Sequence, residues 1–100
     1  MDWVRLLAEV EGFQWDSGND QKNLVKHAVT CQEAESIFRN QPLIIGDNTL
    51  HSQQEHRAYA LGKTDAKRLL YISFTIRSNR IRIISARDMS KEERRDYEKV

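Results

Sequence analysis

At 100 residues and 11.8 kDa the chain is a single domain (residues 1–100), with room for one modest core. Hydrophobic residues at 39%, charged residues at 31%, 4 Gly and 1 Pro exclude a disordered tail or a low-complexity linker, and apolar runs of no more than four residues exclude a membrane span. The net charge of +1 hides an asymmetry: residues 1–56 hold 4 Lys/Arg against 9 Asp/Glu, and residues 57–100 hold 12 against 6, so an acidic half of −5 offsets a basic half of +6.

Asp2 close behind the start, with no long apolar stretch after it, argues against a secretion signal, and the lone Cys31 forms no internal disulfide, so a cytoplasmic setting is expected. Trp3, Leu6, Leu7 and Val10 recur at helical spacing behind Asp2, a candidate N-cap, which predicts a short amphipathic helix closed by Gly12. Phe13-Gln14-Trp15 alternates as a short strand does, and Asp16-Ser17-Gly18-Asn19 is turn chemistry. Residues 20–28 predict a mostly polar helix with Leu24, Val25 and Ala28 as its apolar positions. Thr30-Cys31-Gln32-Glu33 is a capping box; the helix it opens buries Cys31, Ala34, Ile37 and Phe38 and stops at Asn40-Gln41-Pro42.

From there the pattern becomes extended, with a strand over 43–45, a turn at Gly46-Asp47-Asn48, a polar loop over 51–55, a strand over 57–62 and a turn or loop over 62–67. Residues 69–77 and 80–87 are rich in Ile, Leu, Phe and Tyr with only Ser78-Asn79 between them, and predict a hairpin. Ser90-Lys91-Glu92-Glu93 opens a last helix that is charged almost all round, anchored by Met89, Tyr97 and Val100 alone and expected to be weakly held. The fold class is α+β: an antiparallel sheet of about four strands in meander order, packed with helices that include one at each end of the chain.

A two-residue hairpin loop sets the register by counting: Arg77 faces Arg80, Ile76 faces Ile81, Thr75 faces Arg82 and Phe74 faces Ile83. Leu70, Ile72, Phe74, Ile76, Ile81 and Ile83 then share an apolar face that packs on the helices. Tyr71, Ser73, Thr75, Arg77, Arg80 and Arg82 share a polar, basic one. Arg87 falls by parity on the apolar face, so a bulge or twist must redirect it. Like charges face to face on a ribbon destabilise it. Three arginines there either grip an anion, since guanidinium forks match phosphate oxygens, or pair with carboxylates of the acidic half, or guard a sheet edge.

Other chemistry is sparse. His51 and His56 are five apart, and with His27 and Cys31 they form no C-x-x-C or H-x-x-x-H pairing, so no metal and no other cofactor is expected. Lys26 and His27 close the polar helix, where a cation suits the helix dipole; His27 can alternatively supply a proton near neutrality. Glu55-His56-Arg57 leads into a strand, and Tyr97 is either a packing anchor or a phenolic proton donor.

Phe13-Gln14-Trp15-Asp16, Asn23-Leu24-Val25-Lys26-His27-Ala28-Val29, Glu33-Ala34-Glu35-Ser36-Ile37-Phe38, Arg80-Ile81-Arg82-Ile83-Ile84-Ser85-Ala86-Arg87 and Glu93-Arg94-Arg95-Asp96-Tyr97-Glu98 together resemble the BrnT toxins of bacterial type II toxin–antitoxin systems. The resemblance spans about residues 13–99, behind an added helix in 1–12. It implies a RelE-like, barnase-like ribonuclease fold and RNA cleavage that arrests translation without a metal. It also implies neutralisation by a BrnA-like antitoxin with a ribbon-helix-helix domain, contact with promoter DNA only through that complex, and a homodimeric or heterotetrameric assembly. The family usually has Gly where this chain has Ala28, a position at which the helix ends in a left-handed conformation. On this reading Arg77, Arg80, Arg82 and Arg87 bind the phosphate, Arg57, Arg80 and Arg82 act on the charge that develops, and Lys26, His27, Glu55 and Tyr97 are the proton-transfer candidates. The competing reading is a non-catalytic module whose basic ribbon holds nucleic acid or an acidic protein.

Overall fold

The computed structural model describes residues 2–48 and 55–100; His51 and the rest of the polar loop up to residue 54 lie outside the described residues. Helix α1 (Trp3–Glu9) opens on Asp2, whose side chain accepts from the Arg5 N–H, and buries Trp3. It ends at Glu9, short of Gly12. Helices α2 (Lys22–His27) and α3 (Cys31–Ser36) follow, α3 running into a 3-10 turn, Ile37–Arg39. The Thr30 capping box forms in full. Strands β1 (Ile44–Asp47), β2 (Ala58–Lys63), β3 (Leu69–Arg77) and β4 (Arg80–Asp88) pair antiparallel in the order β1-β2-β3-β4, and α4 (Lys91–Glu98) closes the fold.

The hairpin adopts the register that counting predicts, from Phe74↔Ile83 to Arg77↔Arg80. Ser78 and Asn79 make this possible with φ of 49° and 64°, the left-handed pair of a turn whose twist matches the strands. Of the bulge or twist expected to redirect Arg87, a bulge is present: Phe74 pairs Ile83 while Ser73 pairs Ser85, so Ile84 is the extra residue. Beyond it Ala86 turns into the core and Arg87 out.

Trp3, Val29, Ala34 and Ile37 pack against Leu70, Ile72, Phe74, Ile81 and Ile83, with Trp3 and Phe38 each meeting Phe74 edge to face at 5.6 and 5.4 Å. The opposite face is not uniformly polar. Helix α4 lies across part of it and, with Met89, buries Tyr97 against Leu61, flanked by Ile44, Tyr59, Leu69 and Tyr71. Ser73 and Thr75 are buried too, Thr75 Oγ1 donating to the His56 carbonyl at 2.6 Å. Nor is α4 weakly attached: it has a complete capping box at Ser90, and the Tyr97 hydroxyl donates to the Pro42 carbonyl at 2.6 Å. Among the described residues, the hairpin-turn end of this face stays open.

Other expectations about local structure are overturned as well. Gly46 and Asp47 are not a turn but the end of β1. A Cβ on Gly46 would stand 2.5 Å from the Tyr59 ring, so the glycine serves close approach of the ring, and Asp47 accepts the Trp3 indole N–H. In α2, which starts at Lys22, Val25 is 82% exposed and Ala28 also faces solvent, because Asn23 takes the inward position; the side chain of Leu24 lies outside the described structure. Asn23 Oδ1 accepts the Ala86 N–H of β4 at 2.7 Å. This is one of several bonds that use up the outer edge of β4. Ile81 exchanges backbone bonds with Gly12 and Gln14, and Asn19 Nδ2 donates to the Ile83 carbonyl at 2.9 Å. The strand expected at 13–15 is reduced to the parallel bridge Phe13↔Ile81 within this seal.

Ala28 has φ 53°, the left-handed geometry that favours glycine. Relief of about 1–2 kcal/mol of Cβ strain, against about 0.5–1 kcal/mol of glycine entropy, makes Ala28→Gly stabilising by roughly 0.5–1 kcal/mol. A melting curve should show the midpoint raised by about 3–6 °C.

Candidate active site

At the open end of the sheet a cleft of about 180 Å³ lies between the hairpin and the loop that enters α2. Arg77 reaches it from β3, Arg82 from β4 and Arg57 from the residue before β2, all three outward by strand parity. Glu55 enters from the segment leading to β2; Gly18, Asn19 and Lys22 form the far wall.

Carboxylates of the acidic half hold two of the arginines. Glu55 takes Nε and Nη2 of Arg77, both at 2.9 Å, which raises the Arg77 pKa further. Asp16 takes Nη1 and Nη2 of Arg82 at 2.8 and 3.2 Å. These bonds, then the Gly18 N–H, hold the Asp16 carboxyl below its usual range. Each guanidinium has five N–H donors, and among the described residues these pairs engage two on each.

The residues singled out in the sequence therefore divide. Glu55, Arg57, Arg77 and Arg82 come together in the cleft. Arg80 stands beside it, opposite Arg77 in the hairpin turn, exposed and without an ion-pair partner among the described residues. Lys26 is not in the lining; Lys22 is, one turn earlier on the same face of α2, about 6 Å along the axis. His27 is at the far end of β4, where its carbonyl and that of Ala28 accept from Arg68, which also grips Asp88. Asp88 pairs Leu70 and Arg82 pairs Thr75, five ladder steps apart on β3, or about 17 Å. Arg87 and Tyr97 belong to the covered part of the face. The Arg87 guanidinium lies 4.1 Å above the Tyr71 ring and is held by both Glu93 oxygens at 2.8 and 3.0 Å. The Tyr97 hydroxyl faces Pro42, and burial raises its pKa.

Sequence reasoning did not single out Asp16, Asn19 or Lys22 as site residues. Asp16 and Asn19 read as turn formers, which they are. The usable signal was the surplus of acids in the first half, which must find arginines in the second. Among the described residues no three His, Cys, Asp or Glu side chains gather within reach of one metal ion, and no helix is long and apolar enough to cross a membrane.

This geometry belongs to a segment with known relatives: residues 15–93 match the family model for BrnT, the ribonuclease toxin of a type II toxin–antitoxin system. The chain belongs to the BrnT family of ribonuclease toxins. Membership implies an RNA substrate and an antitoxin partner. The matched span begins one residue before Asp16, includes every lining residue of the cleft and stops short of Tyr97. No curated protein matches the chain.

Proposed function

We propose that this BrnT chain is a metal-independent endoribonuclease of RelE-like fold that acts in the cytoplasm, arrests translation and is neutralised by a BrnA-like ribbon-helix-helix antitoxin through which alone it meets promoter DNA, all 100 residues forming one toxin domain. The observation that carries the reading is the convergence of Arg57, Arg77 and Arg82 with one carboxylate, Glu55, in a single cleft. In the reaction the 2′-oxygen of the RNA attacks the adjacent phosphorus and the bond to the 5′-oxygen breaks. Glu55 accepts the 2′-hydroxyl proton; N–H donors of Arg77 and Arg82 that the carboxylates do not hold, with Arg57 and Arg80 beside them, stabilise the charge that builds on the phosphorane oxygens. Lys22, on the opposite wall, donates a proton to the departing 5′-oxygen. Arg87, Tyr97, Lys26 and His27 are assigned no part: Arg87 and Tyr97 lie in the part of the face that α4 covers, His27 is at the far end of β4, and Lys26 is one turn further along α2 than Lys22.

Incubation of the purified chain with single-stranded RNA in excess chelator should yield fragments ending in 2′,3′-cyclic phosphate and 5′-hydroxyl. Induced expression should stop protein synthesis until a ribbon-helix-helix partner is co-expressed. RNA binding without cleavage would make the cleft a binding module instead, and cleavage only on addition of a divalent ion would overturn the metal-independent mechanism.

A further inference from the structure

We infer that Asp16 is a positioning residue for the reaction, and that the loop Asp16–Asn19 exists to aim the Arg82 guanidinium into the cleft. The inference rests on the proposed role of Arg82 and goes beyond it. A chain of contacts leads from the interior to the guanidinium. Asn19 is 2% exposed and bonds three ways: its Nδ2 donates to the carbonyls of Ile83 and Gln14 at 2.9 and 3.1 Å, and its Oδ1 accepts the Asp16 N–H at 2.9 Å. The loop is thus fastened to the strand that carries Arg82, one residue beyond it. Asp16 Oδ1 is in turn fixed by the Gly18 N–H at 2.8 Å, and the carboxylate then receives the Arg82 fork. The Arg82 side chain is only 14% exposed, whereas that of Asp16 is 52% exposed. An exposed ion pair alone adds little stability. Its value here is orientation, because the pair pins a guanidinium whose stem is already packed.

Gly18 supplies an independent observation. Its φ is not left-handed, so backbone freedom does not explain it. A Cβ there would stand 3.0 Å from both Arg82 Nη2 and Asp16 Oδ1. The glycine leaves space for this one pair. Since both crowded atoms are the ends of flexible side chains, Gly18→Ala should prise the pair apart while the backbone stays in place.

The test is single-turnover RNA cleavage by Asp16→Asn, Gly18→Ala and Arg82→Ala chains, and by each of the first two combined with Arg82→Ala, with melting curves and RNA affinity measured alongside. Asp16→Asn keeps the shape but replaces one acceptor by a donor facing the guanidinium. A misplaced catalytic group costs up to about 100-fold, and we expect a loss of about 10-fold to 100-fold for Asp16→Asn and a smaller one for Gly18→Ala, with RNA affinity within a few-fold. In the Arg82→Ala background neither substitution should lower the rate further, a coupling that a merely structural loop would not produce. If Arg82→Ala cleaves normally, the proposed site itself fails. If Arg82→Ala is impaired but Asp16→Asn is not, or Asp16→Asn costs as much with Arg82 absent, the positioning role alone is overturned. A faster or tighter-binding Asp16→Asn chain would also overturn it, by showing that the carboxylate competes with substrate.

Discussion

Arg82→Ala is expected to lower RNA cleavage by about 10²–10³-fold, the usual loss when one preorganised donor to a developing oxyanion is removed. The fold should survive, because the lost partner, Asp16, is half exposed and can be hydrated. Arg77→Ala should act in the same direction, and its Glu55 partner would lose both of the bonds that orient it. Arg82→Lys should not rescue: an ammonium cannot span both Asp16 oxygens and still present a planar edge to phosphate. Binding supplies a second measure. Each phosphate contact to a single strand contributes about −0.7 to the slope of log affinity against log salt, so removal of either arginine should flatten that slope by about this amount. Unchanged cleavage and an unchanged slope would remove Arg82 from the site.

The largest change in stability is expected from Arg68→Ala. Arg68 joins the ends of three elements: it bonds Asp88 through Nε and Nη2 at 2.7 and 3.2 Å, Glu33 at 3.1 Å, and the carbonyls of Ala28 and His27 at 2.8 and 3.1 Å. Those carbonyls close α2, where no further helical turn can satisfy them. The Asp88 pair is largely exposed and screened, so most of the loss comes from Glu33 and the carbonyls. We expect about 2–3 kcal/mol, a fall in melting midpoint of roughly 10–20 °C. The effect should depend on pH. Asp88 is held below its usual pKa chiefly by Arg68, and Glu33 by the Thr30 N–H first and Arg68 among the further causes. A carboxylate with a lowered folded pKa stabilises above its unfolded pKa, about 4, and that contribution disappears as pH falls through the folded value. The gap between the two melting curves should therefore be widest near neutral pH and narrow towards about pH 3. A gap that stays constant with pH would show that these carboxylates do not contribute through Arg68.

Much of the fold was legible because local rules decided it. A two-residue loop fixed the hairpin register, three caps were visible as Asp2, Thr30 and Ser90, and a misplaced Arg87 announced a bulge. The failures came where tertiary contacts outweighed local signals. Gly46 looks like a turn until Tyr59 lies over it, and Val25 looks like an anchor until Asn23 claims the inward side for a bond to β4. The site was half legible. Strand parity named Arg77 and Arg82; helix-end chemistry accounts for Lys26 and His27 without a site, and they become candidates through the family resemblance, while nothing local states that α2 runs along β4 and puts its first turn, with Lys22, at the cleft. Tyr97 reads ambiguously because strand parity makes the face beneath α4 polar and basic, with no local sign of the apolar patch around Leu61 that buries it.

The extra residue in β4 has a consequence for the shape of the cleft. Were Ile84 simply absent, the remaining residues would alternate without interruption, and Ser85, Ala86 and Arg87 would keep the sides they occupy now. Accommodating an outward Arg87 thus does not by itself demand a longer strand; an extra residue on one strand bends it, and this one lies just past Arg82, beside the hollow that Ile83 and Ile84 help to line. Beyond its own place in the lining, that single amino acid is expected to contribute curvature, and a chain shortened there would keep its layers while flattening the wall on which a nucleotide is expected to rest.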